Sequence, residues 1–297
     1  MRRLIVNADD FGFTAGINRA IVEAHTRGIV TSTTLMANGR AFDDAVRSAA
    51  TVPRLSVGCH VVLIDGMPVL DAEQLPSITT TDSSGPRFRD GLKSFAARAL
   101  AGRLNPCEIE MEVSAQIRRL QSAGVTVSHV DTHKHTHLFP AVLRPLLRAA
   151  RACGVGAIRN PFGPSKPLKS TALLARPGLW VRYAEVRILR TLAAKFREAV
   201  KREGFVTPDG TLGIVVTGAL DEKLFRGIAA IIPEGTWEFV CHPGYNDADL
   251  TSARTRLRQS RETELRVLTL PEARQLLLDE GIALISHRDL LRSETEP

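Results

Sequence analysis

The feature that most restricts the fold of this 297-residue chain is a regular alternation of short apolar runs, rich in β-branched residues, with segments of helical length. The apolar runs predict strands at 3–8, 30–37, 55–62, 125–131, 155–159, 213–217, 238–241 and 282–286. The intervening patterns predict helices at 14–27, 41–50, 92–101, 106–123, 141–153, 222–230 and 271–280. Strands that alternate with helices or long crossovers predict a single α/β domain over residues 1–297. We expect a (β/α) barrel, regular or distorted, with an open doubly wound sheet as the alternative.

Two segments depart from this alternation. Residues 65–90 are polar, contain several prolines and glycines, and predict a loop over one end of the fold. Residues 165–204 carry ten basic and three acidic side chains, an excess that accounts for the whole net charge of +7. Because the rest of the chain is neutral, the composition argues against a nucleic-acid-binding surface and leaves a local basic feature to be explained.

The unusual polar residues follow the predicted strands at their carboxyl ends. They are Asp9 and Asp10 after the first strand, His60 near the end of the third, Asp131 and His133 at the end of the fourth, and His242 after the seventh. Sites of parallel α/β folds are assembled at this edge of the sheet, so we expect these side chains to converge. The set therefore predicts a functional centre built from distant parts of the chain.

The adjacent carboxylates of Asp9 and Asp10 need a compensating charge if they are buried, because like charges repel strongly at low dielectric. One divalent metal ion would supply it, with Asp10, His60 and His133 as three ligands and the other positions open to water and substrate. Asp9 would then take a proton from a water molecule whose pKa the ion lowers. Zinc, magnesium, manganese and iron all accept such a mixed oxygen and nitrogen site.

The stretch SHVDTHKHTH at 128–137 has an imidazole or carboxyl group at every second position: His129, Asp131, His133, His135 and His137. In one extended strand all five would lie on one face, which is more than a single ion needs. We predict that His133 binds the metal, and that Asp131 and His135 orient a ligand or the substrate. His129 is predicted to be structural and His137 to bond the backbone of the following helix.

Five stretches together resemble the YdjC-like carbohydrate deacetylase family. They are LIVNADDFGF at 4–13, GIVTSTTLMANG at 28–39, GCH at 58–60, HVDTHKHTHLFP at 129–140 and VCHPG at 240–244. Within the family, the PDG at 208–210, the run 238–247 and the basic segment resemble the hopanoid-biosynthesis-associated (HpnK) branch. The likeness extends over nearly the whole chain.

This resemblance implies a barrel-like α/β fold and the divalent-metal-dependent removal of an acetyl group from an N-acetylated amino sugar. Position by position, it implies Asp10, His60 and His133 as metal ligands and Asp9 as the base. It favours magnesium or zinc as the ion. For the hopanoid branch the implied substrate is an N-acetylglucosaminyl hopanoid lipid, which becomes the glucosaminyl form.

An amide also needs a proton for its departing amine, and His242 is the predicted general acid. Arg159 and Tyr245 are predicted to support the site or to meet the substrate. Three alternatives stay open: a deacetylase of soluble chito-oligosaccharides, a metal-dependent phosphoesterase on a barrel scaffold, and a noncatalytic metal-containing carrier of sugar or lipid.

The N-terminal apolar run at 4–6 is too short for a signal peptide or a membrane span, so we expect a cytoplasmic protein. The basic segment has two interpretations. It is an outer barrel helix with a solvated face, or it lies on the anionic inner face of a membrane and reaches a lipid substrate there. In both interpretations Val186, Leu189, Ala193, Phe196 and Val200 form the apolar side of one amphipathic helix.

Overall fold

The structure is a computed structural model that describes residues 1–83 and 85–293. Residue 84, in the predicted loop at 65–90, and residues 294–297 of the predicted domain lie outside the described residues. The strands are β1 (Arg2–Phe11), β2 (Ser32–Leu35), β3 (Ser56–Val61), β4 (Thr79–Asp82), β5 (Gly85–Phe88), β6 (Val130–Thr132), β7 (Gly210–Leu212), β8 (Gly235–Cys241) and β9 (Ile282–Ile285).

The α-helices follow the strands along the chain. They are α1 (Ala15–Thr26), α2 (Phe42–Thr51), α3 (Leu92–Leu100), α4 (Pro106–Ser122), α5 (Pro140–Ala152), α6 (Ser170–Leu174), α7 (Trp180–Leu189), α8 (Ala193–Arg202), α9 (Glu222–Ala229), α10 (Ala248–Ser252), α11 (Gln259–Leu268), α12 (Pro271–Asp279) and α13 (His287–Ser293). The seven helices predicted from the sequence are present, and their ends agree to within one residue. At the start of α1, for example, the Thr14 hydroxyl accepts from the N–H of Ile17, as an N-cap residue does.

The centre of the molecule is a parallel sheet in the order β6-β3-β2-β1-β8-β7, with β9 also paired to β1. The N-terminal half of β1 lies between β8 and β9, and its C-terminal half lies between β8 and β2. Every residue of β1 from Leu4 to Phe11 is buried. This explains the continuous apolar run of the sequence, because a parallel sheet with both faces covered has no solvent side.

The sheet is curled, and its edge strands β6 and β7 are joined by an irregular segment rather than by a strand. Residues 155–159, predicted as the fifth strand, form only isolated bridges, Val130 to Ile158 and Ala157 to Val206. Pro161 follows and has no N–H to extend a ladder. The single α/β domain is confirmed, whereas the closed eight-stranded barrel is not.

The strand predicted at 213–217 is wrong. The structure has β7 at Gly210–Leu212, followed by a 3₁₀ turn at Ile214–Val216. Gly213 between them has φ +93°, and a Cβ there would lie 2.4 Å from the carbonyl oxygen of Val240. The chain must therefore leave the sheet at this glycine, and the β-branched residues after it pack as a turn.

The predicted loop at 65–90 contains structure of its own: a 3₁₀ turn at Ala72–Gln74 and the antiparallel hairpin of β4 and β5. Helix α4 holds it in place from below. Buried Glu112 accepts backbone N–H groups of Val69 and Leu70, and Glu108 accepts that of Ser77. Two buried carboxylates thus anchor a segment that has few apolar residues.

The basic segment is also different from its prediction. The expected single amphipathic helix is divided into α7 and α8 by a 3₁₀ turn at Arg190–Leu192. Ala193, Phe196 and Val200 of α8 are buried as predicted, but Leu189 is exposed at 37%. Only the second half of the predicted apolar face is therefore fully packed against the domain.

Candidate metal and catalytic centre

A bulge in β1 brings two consecutive carboxyl groups to one side of the sheet. Between Ala8 and Phe11 the pairing with β2 shifts register, and Asp10 has φ +69°. In a regular strand Asp9 and Asp10 would point to opposite faces. The bulge turns them together, so that both lie near the His60 imidazole. A left-handed residue that is not glycine costs free energy, and such strain is typical of functional sites.

Three side chains from β1, β3 and the turn after β6 form the expected metal-binding set. Asp10 Oδ1 is 3.5 Å from His60 Nε2 and 3.6 Å from His133 Nδ1, and the two ring nitrogens are 3.3 Å apart. Two ligand atoms, each about 2.1 Å from a shared ion at the tetrahedral angle, are about 3.4 Å apart. Asp10, His60 and His133 therefore fit a divalent cation.

Burial of this set is uneven. The side chains of Asp10 and His60 are 6% and 2% exposed, whereas that of His133 is 25% exposed. The His133 side is therefore the side from which water and a substrate can approach. Such a three-residue site with an open side is typical of catalytic rather than structural metal sites.

Asp131 of β6 fixes the orientation of His60. Its Oδ1 lies 2.7 Å from His60 Nδ1, so the proton of the neutral ring is held on Nδ1 and Nε2 is left free for a cation. The Thr34 hydroxyl lies 3.2 Å from the other oxygen of Asp131. In the chain without a cation, burial lowers the pKa of His60, but the neighbouring carboxylates, Asp131 first, outweigh it and raise that pKa to about 9.

Arg159 links three buried carboxylates. Its guanidinium donates two hydrogen bonds to Asp9, of 2.6 and 2.8 Å. It also lies 2.6 Å from Asp131 Oδ2 and 2.7 Å from Glu238 Oε1. The Arg159 side chain is fully buried, so it positions these acids and does not reach a substrate. Burial alone would raise the pKa of Asp9, but Arg159 holds it well below its usual range.

Arg159 also decides between two possible metal sites. Asp9, His60 and Asp131 form a second cluster of potential ligand atoms. A cation in that cluster would lie beside the Arg159 guanidinium, which already pairs with both carboxylates, and its approach would be opposed by like charge. Asp10 is also paired with an arginine, Arg261, but through Oδ2 alone, so the Asp10, His60 and His133 set is the better candidate.

Helix α11 supports the centre from the opposite side with two residues that the sequence analysis missed. The guanidinium of Arg261 donates to Asp10 Oδ2. Glu264, one turn later, accepts the backbone N–H of His242 at 2.6 Å. Both side chains are buried. One helix thus holds a predicted metal ligand and the predicted general acid in fixed positions.

His242 faces Asp9 across the site, with its Nε2 3.9 Å from Asp9 Oδ2. Its side chain is 13% exposed, so it borders the open part of the centre. Burial lowers the pKa of His242, although Glu264 opposes this effect. The imidazole is therefore neutral near pH 7, and a role as acid requires that it first receive a proton.

A model of the family described as "YdjC-like protein" matches residues 3–279. The chain belongs to this family. It is 33% identical to a carbohydrate deacetylase of Brevibacillus brevis over 290 residues, which is 97% of this chain and 99% of the relative. It is 31% identical to a chitooligosaccharide deacetylase of Klebsiella pneumoniae over 291 residues, 97% of this chain and 99% of the relative.

Among solved structures, the YdjC-like chain is similar to a candidate cellobiose-phosphate cleavage protein of Enterococcus faecalis. The TM-score is 0.76 at 27% identity, and the match covers 97% of this chain and 98% of the other. The family predicted from the sequence is confirmed. Its hopanoid branch stays a prediction.

The His-rich run of this YdjC-like chain is not one strand. β6 ends at Thr132, and Lys134 and His135 adopt left-handed backbone conformations. His129 stacks on His287 with ring centres 3.6 Å apart, beside Gly58, where a Cβ would lie 2.5 Å from the His129 ring. His129 is therefore packed between elements of the core, as a structural residue would be.

The two remaining histidines of the run differ in their contacts. His137 shares a 2.7 Å hydrogen bond with the Thr132 hydroxyl, so the predicted bond to the backbone of the following helix is wrong. His135 is half-buried, and among the described residues its Nδ1 has no hydrogen-bond partner. Burial first, and then Arg159, lower the pKa of His135 to about 3. Because this free nitrogen is itself buried, the role of His135 in orienting a ligand or the substrate stays a prediction.

Tyr245 is directed away from the ligand set. Its hydroxyl donates to Glu23 of α1, and the Arg19 guanidinium lies over its ring. Contact of Tyr245 with a substrate thus stays a prediction. Among the described residues no helix is both long and apolar enough to cross a membrane.

Proposed function

We propose that the protein is a divalent-metal-dependent deacetylase that removes the acetyl group from an N-acetylglucosamine-type sugar. The observation that supports this most is the convergence of Asp10, His60 and His133 within 3.6 Å of one another. Asp9 and His242 stand beside this set with their functional atoms 3.9 Å apart. The names of the two relatives support the same reaction class and a carbohydrate substrate.

A divalent cation held by Asp10, His60 and His133 would polarise the acetamide carbonyl and lower the pKa of a water molecule. Magnesium or zinc is the proposed ion, since carboxylate and imidazole ligands suit both. The half-buried His133 leaves room at this position for the acetamide. The two buried ligands keep competing water away from the rear of the site.

Asp9 is the proposed base. The two hydrogen bonds from Arg159 fix its carboxylate plane and keep it ionised, so it is ready to accept a proton at neutral pH. The same bonds make it a weak base, because they hold its pKa low. Asp9 can therefore accept a proton only from a water molecule whose pKa has been lowered, and it passes that proton on rather than keeping it.

His242 is the proposed proton donor to the departing amine. Since the pKa of His242 is lowered, its proton comes from the attacking water by way of Asp9. The 3.9 Å between the two side chains is one small movement from a hydrogen bond. Glu264 keeps the His242 backbone in place during this transfer. Protonation of the amine prevents the tetrahedral intermediate from returning to the amide.

The substrate proposal can be tested with N,N'-diacetylchitobiose. Protein stripped of metal by a chelator and then reloaded with magnesium or zinc should release acetate and a free amine only after reloading. Hydrolysis of p-nitrophenyl phosphate without any acetate release would favour the phosphoesterase instead. Binding of the sugar without either reaction would favour the carrier.

We further propose that the natural sugar is lipid-linked, as in an N-acetylglucosaminyl hopanoid, and that the protein works against an anionic membrane surface. The supporting observation is the concentration of exposed apolar side chains within the basic segment. Six of the twelve large apolar side chains that are exposed in the described chain lie between 174 and 192: Leu174, Trp180, Val181, Ile188, Leu189 and Leu192. Apolar side chains surrounded by arginines and lysines are typical of interfacial helices.

Vesicle sedimentation tests this second proposal. The wild-type protein should bind phosphatidylglycerol vesicles at low salt, and V181S/I188S should bind them at least tenfold more weakly. The control L100S removes an equally exposed leucine on α3, outside the basic segment. Equal binding by V181S/I188S and L100S would contradict the membrane proposal without affecting the deacetylase proposal.

A further inference from the structure

A cleft of about 420 Å³ lies between the start of α7, the turn after β7 and the start of α11. Three arginines line it: Arg176, Arg182 and Arg256. The other described residues of its wall, which include Ser260, are uncharged. No carboxylate therefore lines the described part of the cleft. It shares no residue with the catalytic centre.

The positive charges in this cleft are incompletely compensated. Arg176 pairs with Asp221, and Arg182 donates to the main-chain oxygens of Val215 and Thr217. Arg256 forms no salt bridge with any residue that the structure describes. Burial lowers the pKa of Arg182 and the like charge of Arg256 lowers it further, while the carboxylate of Glu185 in α7 opposes both effects. Two guanidinium groups thus line one cleft, and Glu185, the carboxylate that acts on Arg182, is not among the described residues of its wall.

We propose that this cleft binds a phosphate-type anion. Guanidinium groups offer paired N–H donors that match the oxygens of a phosphate, and the Ser260 hydroxyl adds a neutral donor. The volume is in the range of small-molecule sites, so a phosphate ester fits as well as a free ion. An anion bound beside Arg182 and Arg256 offsets the repulsion between them, which Glu185 opposes from outside the cleft wall.

The cleft is next to the helix that supports the catalytic centre. Ser260 precedes Arg261, which holds Asp10, and the N–H of Gly218 in the cleft wall donates to Glu264. An anion bound there lies behind the centre rather than in it. The site therefore goes beyond the proposed deacetylation and does not depend on it.

Two sources of the anion have the same chemistry. One is the headgroup of a membrane lipid, because α7 forms part of the cleft wall and also carries exposed Val181 and Ile188. The other is free phosphate or a soluble phosphate ester. Experiments with phosphatidylglycerol vesicles, with phosphatidylcholine vesicles and with inorganic phosphate distinguish them.

The test compares R182Q/R256Q with R190Q/R197Q, which removes the same charge from exposed positions of the basic segment outside the cleft. Vesicle binding is measured by sedimentation and phosphate binding by calorimetry. We expect about fivefold weaker vesicle binding for each cleft arginine removed, beyond the loss in the control. Arg182 bonds the main chain, so R182Q can impair folding. In that case the single variant R256Q is compared with the control instead.

Each outcome bears on the proposal. Selective loss of binding to phosphatidylglycerol vesicles indicates a lipid headgroup, and selective loss of binding to inorganic phosphate indicates a soluble anion. Either supports the site. Equal binding by the cleft and control variants, or no binding of either probe by the wild type, overturns it. Acetate release from N,N'-diacetylchitobiose should be unchanged in R182Q/R256Q, which keeps this test separate from that of the deacetylase.

Discussion

The two oxygens of the Asp10 carboxyl group have different partners, and one of them is Arg261. The guanidinium of Arg261 takes Oδ2, while Oδ1 of the same group lies 3.5 Å from His60 Nε2 and 3.6 Å from His133 Nδ1. Asp10 can therefore offer a cation one oxygen only. Asp10 itself has a left-handed backbone conformation in the bulge, and Arg261 of α11 holds its side chain in place.

We predict that R261Q binds zinc 10- to 100-fold more weakly than the wild type, because residues that orient metal ligands typically contribute that much to affinity. R261K keeps the charge but loses the planar fork, so its affinity should fall between the two. Calorimetric titration of metal-stripped protein measures this. R266Q, an exposed position of the same helix, is the control. Unchanged affinity in R261Q would show that Asp10 is held by the strand alone.

The D9N variant distinguishes the proposed role of Asp9 as the base from that of Asp10 as a metal ligand. Asp9 is outside the set of three closest ligand atoms, so D9N should keep its metal while acetate release falls about 10²- to 10⁴-fold. Metal content and acetate release are measured on the same sample. A thermal unfolding curve checks that Arg159, now facing a neutral amide, has not destabilised the fold. Loss of metal with residual activity would mean that the roles of Asp9 and Asp10 are reversed.

Metal binding should depend strongly on pH because His60 must lose a proton. Without a cation, the pKa of His60 is raised to about 9. Because the folded-state pKa lies above the ordinary value of about 6.5, protonation of His60 stabilises the metal-free chain, and this contribution is fully present below about pH 6.5. This contribution is lost as the pH rises through 9. Since only the neutral ring binds a cation, the apparent metal affinity should rise about tenfold per pH unit between about 7 and 9.

The D131N variant provides the matched comparison. It removes the carboxylate that contributes most to the raised pKa of His60, so the slope of affinity against pH should flatten above about pH 7. Competitive titration of zinc with a chelator at a series of pH values gives both slopes. The same slope in D131N and in the wild type would assign the proton to another group.

The clustering of Asp10, His60 and His133 could be predicted because each residue follows from a local pattern, and their role as metal ligands stays a prediction. The strand starts were predicted less well, since β6 begins at Val130 and not at 125. A buried parallel strand is an apolar run, and the polar residues at its end lie at the edge where sites form. Asp10, His60 and His133 come from three such ends. The predicted fifth strand is followed by Pro161, and the predicted sixth strand begins at Gly213, which has a positive φ. Backbone geometry at these residues overrides strand propensity.

The supporting residues had no such signal. Arg261 is 251 positions from Asp10, and the run from 259 to 268 is rich in charge and reads as an exposed helix. Glu238 lies inside a strand, where its pairing with Arg159 depends on how β8 meets an irregular segment. The bulge at Asp10 also follows from pairing with β2 rather than from the sequence of β1. One usable hint was the spacing of Arg261 and Glu264, which lie on the same face of one helix.

Substrates with different leaving groups should distinguish His242 from Asp9. An amide cannot expel an unprotonated amine, whereas an aryl acetate releases a phenolate that needs no proton. We therefore expect H242N to lose about 10²- to 10⁴-fold on N,N'-diacetylchitobiose but less than about tenfold on p-nitrophenyl acetate. D9N should lose activity on both, because both need an activated water molecule. Only the hydrolysis of p-nitrophenyl acetate that a chelator abolishes is counted, which excludes reaction at other surface groups. Equal losses on the two substrates in H242N would remove His242 from proton donation and leave Asp9 to carry the proton in both steps.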